Sequence, residues 1–350
     1  HRMSGQPSPT KQDSPASAAG PRGVRVVAMG GGSGLSMLLK GLKRHVAPGG
    51  EPPSAAALSI RDLTAVVTVT DDGGSSGRLR KEMGVLPPGD IRNCMVALSE
   101  DEALLGRLFQ YRFPGGSGLE GHSFGNLFVT ALTGVTGDFA EAVRLSSGIL
   151  ATAGRIVPST IADVQLEAVM DDGSTVRGET SITQSSHRIL ELRLSPAEVQ
   201  PLPETLATIR DADLITIGPG SLFTSLIPNL LVTGIAQAIA ASRACKVYVC
   251  NLMTQANESL GLTASDHIRA IYDHAKAHIF DVALLNSTPV SPDLRAKYAL
   301  EGASQVVCDT EKIEALGVRP VSADLLESDG VARHAPERLA AQLLALVRTT

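Results

Sequence analysis

At 350 residues and 43% hydrophobic content, the chain is long enough for one large α/β domain or two smaller ones around a sizeable core. Its 31 Lys and Arg against 36 Asp and Glu leave a net charge of −5, which argues against a partner held by phosphate neutralisation, so no nucleic acid is expected. Aromatic residues are only 3%, with no Trp, which also disfavours a stacking platform for single strands.

The first residues, to about 22, are rich in Ser, Pro and Ala and cannot bury a core, so a disordered tail is expected. His1 and Arg2 before Met3 read as an appended scar, and no apolar signal-peptide stretch follows. From residue 23 to 350 the pattern reads as one α/β domain. "VRVVAM", 24 to 29, is a β-branched strand ended by glycines. "GLSMLLKGLKRH", 34 to 45, has the apolar spacing of a helix, and the Pro/Gly-rich stretch 46 to 54 reads as a loop. "LTAVVTVT", 63 to 70, is apolar on both faces, as a buried parallel strand is. Together these make one βαβ unit.

The middle reads as helices over "GDIRNCMVALSEDEALLGRLFQYRF", "SFGNLFVTALTGV" and "DFAEAVRLSSGIL". A hairpin, "DVQLEAVMDDGSTVRGETSI", and a strand, "HRILELRLSP", then give a β-rich insert over about 156 to 200. The α/β rhythm returns with strands "ADLITIG", "KVYVCNL" and "FDVALLN", and helices "LVTGIAQAIAAS" and "ASDHIRAIYDHAKA". A short strand "QVVCDT" and a closing helix "PERLAAQLLALVR" complete the chain. Alternating β and α predicts a doubly wound, mostly parallel, Rossmann-like sheet with a small β-rich insert. No run of 18 apolar residues appears, so no membrane span is expected. The four cysteines, Cys94, Cys245, Cys250 and Cys308, form no C-x-x-C pair and read as reduced, buried thiols of a cytoplasmic protein.

In open α/β sheets the ligand lies beyond the carboxyl ends of the strands, so the residues after each strand carry the functional reading. Gly30, Gly31, Gly32, Ser33 and Gly34 follow the first strand. They form either a phosphate-binding turn at a helix start or a tight packing turn. Leu35 stands where a dinucleotide fingerprint has its third glycine, and the Lys-Ser/Thr of a P-loop is missing. After the second strand come Asp71 and Asp72, then the glycine/serine stretch with Ser75 and Ser76. One acid suits a ribose hydroxyl, and the other suits a divalent metal such as magnesium or a base's role. The alternative is that Asp72 caps the helix that follows. The same Asp-Asp-Gly recurs at 171 to 173, where it reads as a hairpin turn.

Gly218, Pro219 and Gly220 make a stiff turn, and Ser221, Thr224 and Ser225 offer hydroxyls to a second anion contact or to a plain helix cap. Asn229 is a further ligand candidate or a turn residue, and Asn251, Thr254 and Gln255 follow a later strand. His122 and Asn126, four apart, would share a helix face. Arg92, beside Asn93, is a phosphate clamp or half of a surface ion pair. His267, His274 and His278 with Asp266 and Asp273 lie on an amphipathic helix and read as a solvated face rather than a metal cluster.

These motifs, in this order over about residues 24 to 290, resemble the CofD-like/YvcK family, often called the gluconeogenesis factor family. The match rests on the Gly30–Gly34 turn, "TVTDDGGSSGRLR", "PPGDIRNCMVALS", "GHSFGNLF", "ADLITIGPGSLFTSLIPNLL" and "VYVCNLMTQANES". One branch of the family consists of magnesium-dependent transferases that move a phospho-2-hydroxyacyl group from a nucleotide diphosphate donor to an acceptor hydroxyl. Here the acid pair runs into "GGSSGRLR" instead of that branch's Ser-Pro-Asp-Leu-Asp-Thr run, so the chain looks more like the YvcK branch.

That resemblance implies a cytoplasmic protein needed for gluconeogenic growth and cell-shape control. It implies binding of a UDP-sugar such as UDP-N-acetylglucosamine, with no tightly bound cofactor and a cell-wall or metabolic protein as partner. With the low-charge apolar helices it also points to a homodimer. On the binder reading the glycine turns hold the diphosphate, Asp71 or Asp72 reads the ribose, and Asn126, Asn251, Thr254 or Gln255 reads base or sugar. On the transferase reading Asp71 and Asp72 position magnesium and activate the acceptor, while His122 or Arg92 stabilises the transferred phosphate. A nicotinamide oxidoreductase fits less well, for want of the third glycine and of a hydride-transfer pair.

Overall fold

The computed structural model describes residues 23–47, 58–100, 104–116 and 118–347. The expected tail and most of the loop at 46 to 54 lie outside these residues. The chain begins β1 (Val24–Gly30), α1 (Gly32–Leu42), β2 (Ile60–Val67), α2 (Gly74–Met83), α3 (Gly89–Leu98). Then come α4 (Leu105–Gln110), α5 (Phe124–Thr136), α6 (Phe139–Ile149) and β3 (Arg155–Pro158). Strands β4 (Gln165–Met170), β5 (Thr175–Arg177), helix α7 (Glu179–Gln184) and β6 (Ile189–Ser195) form the insert. The α/β rhythm resumes with α8 (Pro203–Asp211), β7 (Leu214–Ile217), α9 (Ile227–Leu231), α10 (Ile235–Ala241), β8 (Cys245–Val249), α11 (Ala264–Ala275) and β9 (Val282–Asn286). The last elements are α12 (Pro292–Ala299), α13 (Thr310–Ala315), β10 (Arg319–Ala323), β11 (Leu326–Ser328), β12 (Ala332–His334) and α14 (Pro336–Val347).

Seven parallel strands make the main sheet in the order β10-β9-β8-β7-β1-β2-β3. The chain moves outward from β1 to β3, returns to β7 on the other side of β1, and moves outward again. The sheet is therefore doubly wound, and its direction reverses between β1 and β7, where a crevice opens at the carboxyl ends. Strands β1 and β2 are buried along nearly their whole length, which explains their continuous apolar runs. In α1, Leu35, Leu38, Leu39 and Leu42 face the core at helical spacing, and the helix packs between α3 and α14.

Several boundaries differ from the sequence reading. The second strand stops at Val67, opposite Gly30, because β1 offers no further partner. Residues 155–158 belong to the main sheet as its edge strand, and the separate antiparallel sheet, ordered β5-β4-β6, spans 165–195. The stretch after the hairpin is helix α7 rather than strand, because Gly178 at φ +88° turns the chain out of β5. "QVVCDT" contributes only an isolated bridge, Met253 to Gln305, and the sheet is extended instead by β10. In α11, His267 and His274 are packed inward and bonded to Thr263 O and Ala270 O, so they are structural rather than solvated. No described helix is on its own long and apolar enough to cross a membrane.

Candidate functional site

At the β1/β7 crevice the first glycine turn opens directly into α1, whose cap residue Gly31 supplies no side-chain hydrogen bond. The turn and the Gly218–Ser221 loop are pressed together. A Cβ on Gly34 would lie 2.4 Å from the Pro219 carbonyl oxygen, and one on Gly31 would lie 2.8 Å from the Asp90 carboxylate. The turn therefore packs tightly, and it leads straight into the first amides of α1. Asn229 is fully buried and donates to Gly30 O and Ser225 O, each at 3.0 Å, so it fixes the turn from behind. Ser225 and Thr224 are buried as well, Thr224 beneath the Glu258 carboxylate, which accepts from the Phe223 and Thr224 amides.

A cleft of about 630 Å³ lies over this junction. Ser33, Gly34, Asn93, Pro219, Gly220 and Ser221 form one side, with Asn251 and Gln255 beside them. Asn251 Oδ1 accepts from the Gly220 amide at 3.3 Å, and Gln255 Oε1 accepts from the Ser221 hydroxyl at 2.8 Å. Thr254 is turned away, bonded to Ser304. Two cations complete the walls, Lys40 from α1 and Arg333 from β12, and neither makes an ion pair among the described residues. The β11–β12 hairpin that carries Arg333 is seated by His334, which meets Cys250 O at 3.1 Å and whose burial lowers its pKa to about 4. A second hollow, about 570 Å³ along β3, is lined by charges that satisfy one another, Arg155 with Asp62 and Glu204.

The two acids of the pair point in different directions. Asp72 does not cap α2, whose cap is Gly73 without a side-chain bond. Its Oδ1 instead accepts from the Thr180 amide at 2.8 Å and the Thr180 hydroxyl at 2.7 Å, so it caps α7 of the insert, 108 residues away. Asp71 turns inward to the Gly73 amide, and burial raises its pKa. It joins Asp90, raised to about 6 chiefly by burial, and Glu179, raised to about 9 by burial and then by Asp71. Asp90 also accepts from the Gly32 amide, taking one of the donors at the start of α1. Magnesium would need several oxygen donors around one point. One or two carboxylates suffice when water and ligand phosphate complete the shell; here Asp72 Oδ1 is committed to Thr180 and Asp71 Oδ1 to the Gly73 amide, which leaves the second oxygen of each acid for such an ion.

The remaining candidates form a buried chain of hydrogen bonds. Arg92 Nε donates to Asn126 Oδ1 at 3.0 Å, and Asn126 Nδ2 donates to Ser75 Oγ at 3.1 Å. Ser75 Oγ in turn lies 2.8 Å from His122 Nδ1. Burial first, then Arg78, lowers the His122 pKa, which favours the neutral ring beside Ser75. His122 precedes the cap of α5 and is not on the helix, so its meeting with Asn126 runs through Ser75, not along a helix face. Arg92 is buried and makes no surface ion pair. Ser76 holds the Gly89 amide at 3.0 Å and helps orient Asp71.

With this geometry in hand, comparison with known proteins gives a consistent answer. The model of the family described as 2-phospho-L-lactate transferase CofD matches residues 26–326. The chain belongs to the CofD family. Within it, the chain is 48% identical over 320 residues to the gluconeogenesis factor of Halalkalibacterium halodurans, covering 91% of this chain and 95% of that one. It is 43% identical over 325 residues to the gluconeogenesis factor of Bacillus subtilis, covering 93% and 98%. A crystal structure of a UPF0052 family protein from Bacillus halodurans superposes with a TM-score of 0.85 at 46% identity, covering 92% and 99% of the two chains. The CofD family match ends at residue 326, so Arg333, which closes the cleft, lies beyond it. Sequence reasoning missed Lys40, Arg333 and Glu179. Lys40 carried a faint signal, one helical turn beyond Ser36 and Met37 on the cleft-facing side of α1, whereas Arg333 and Glu179 carried none.

Proposed function

We propose that the protein is a regulatory protein that binds a nucleotide sugar of the UDP-N-acetylglucosamine type. The role we assign is control of gluconeogenic growth and of cell shape and cell-wall synthesis. One observation carries the reading: the start of α1 shares a cleft of about 630 Å³ with two cations, Lys40 and Arg333, that make no ion pair among the described residues. Backbone amides at a helix start together with cations are what a diphosphate requires. Asn93, Asn251 and Gln255 supply donors and acceptors for the edges of a base or the hydroxyls of a sugar. The name of the relatives, gluconeogenesis factor, supports the metabolic side of the proposal.

Transfer of a phospho-2-hydroxyacyl group is the second reading, favoured by the family's description and by the Ser75–His122 contact. The ligand's fate separates the two. Calorimetric titration with UDP-N-acetylglucosamine is expected to give saturable binding with the ligand recovered intact. Arg333→Ala should weaken binding roughly tenfold or more, as loss of a charge-assisted contact does. Release of a nucleotide product in the presence of an acceptor would favour the transferase, and absence of binding would remove the first reading.

A further inference from the structure

Beyond the cleft, on the side of α3 that faces α5, three arginines from three segments all bond to one short stretch, residues 120–126, at the start of α5. Arg92 comes from α3, Arg78 from α2, and Arg112 from the loop before α5. Arg92 is 7% exposed, yet its only hydrogen bond is from Nε to Asn126, so both terminal nitrogens are without a partner among the described residues. Its stem lies on the first turn of α5, where Gly125 makes room: a Cβ there would sit 2.7 Å from Arg92 Cδ. Arg112 is brought in by a bridge to Ser123 and by a hydrogen bond from the Phe124 amide to Tyr111 O. Arg112 and Arg78 donate to neighbouring carbonyls, Gly121 O and Glu120 O. No ion pair involves any of the three among the described residues, although Asp90 and Asp71 partly offset the charge of Arg92.

Holding like charges together around a buried guanidinium is unfavourable unless an anion completes the set. Burial first and then Arg112 lower the Arg92 pKa to about 10. Asn126 fixes the plane of the Arg92 guanidinium, and Ser75 and His122 fix Asn126, so the arginine is oriented in advance.

We propose that Arg78, Arg92 and Arg112, at the start of α5, form a second anion subsite separate from the Lys40–Arg333 cleft, and that it takes a phosphoryl group. The dianionic, tetrahedral group suits several guanidinium forks better than a carboxylate does. The site goes beyond nucleotide-sugar binding and fits the phosphoryl end of a second ligand or of an effector.

The test is titration of inorganic phosphate into the full chain at constant ionic strength, followed by phosphorus NMR line broadening and calorimetry. Wild-type protein should bind phosphate saturably. Arg112→Ala should weaken that binding roughly tenfold or more, and Arg333→Ala should leave it within about twofold. Arg92→Lys keeps the buried charge and should give a similar loss, which guards against a folding defect in a truncated variant. Phosphate binding kept in Arg112→Ala but lost in Arg333→Ala would place the anion in the cleft and overturn the proposal. Absence of saturable phosphate binding, or an equal response to acetate, would overturn it too. Nucleotide sugar plays no part in this assay, so its outcome is independent of the proposed function.

Discussion

Asp-Asp-Gly occurs twice in this chain, and the two copies do almost opposite things. At 171 to 173 it turns the β4–β5 hairpin. Asp172 accepts from the Ser174 amide and hydroxyl two residues on, Asp171 meets neighbouring His187, and Gly173 sits at φ +83° with open space around it. At 71 to 73 it lies a few residues beyond the end of a buried parallel strand. Asp71 faces the carboxylates of Asp90 and Glu179, Asp72 reaches 108 residues away to cap α7, and Gly73 has an ordinary φ of −90°. Identical residues thus act locally in one place and over long range in the other. The difference is set by what the preceding strand is packed in, since a two-sided, buried strand must point its end groups at other elements.

Glu179 should give the largest effect, because the insert carries it into the acids of the first copy. Its folded pKa, about 9, lies above its ordinary 4.5, so its contribution is fully present below about 4.5 and is lost as pH rises through about 9. Urea denaturation at several pH values should show stability falling over that window, with a flatter slope for Glu179→Gln. Equal slopes would mean that the first copy does not face Glu179.

Next comes the cap. Asp72→Ala should cost about 1–2 kcal/mol in urea unfolding and loosen 178–184 in hydrogen exchange. Asp172→Ala should leave the unfolding midpoint without measurable change, because its bonds to Ser174 and its contact with His187 are exposed to solvent. Similar losses in both would erase the distinction between the copies. The smallest effect belongs to the glycines: Gly173→Ala should cost about 1 kcal/mol through its positive φ. Gly73→Ala has no such strain, and a Cβ there would meet only ordinary contacts at 3.4–3.5 Å. A larger loss at Gly73 than at Gly173 would contradict this.

Much of the fold was legible because its signals are local. Continuous apolar strands, the Leu35–Leu42 spacing and the glycines after β1 each declare themselves within a few residues. The placement of the candidate groups beyond strand ends followed from the sheet topology alone. What was hidden depends on contacts between distant segments. Nothing near Asp72 indicates Thr180, and nothing in "ESDGVARH" indicates that Arg333 will close a cleft built on β1 and β7. His122 and Asn126 were paired correctly but for the wrong reason, since Ser75 joins them rather than a helix face.

The central claim is that the β1/β7 cleft, and not the hairpin copy, binds a nucleotide sugar. Hydrogen exchange read by mass spectrometry, with and without UDP-N-acetylglucosamine, tests it most directly. The expected result is new protection at residues 31–36, 218–222 and 330–334, with residues 170–176 unchanged. Protection confined to other segments, or unchanged exchange at a ligand concentration that saturates calorimetric binding, would contradict the account.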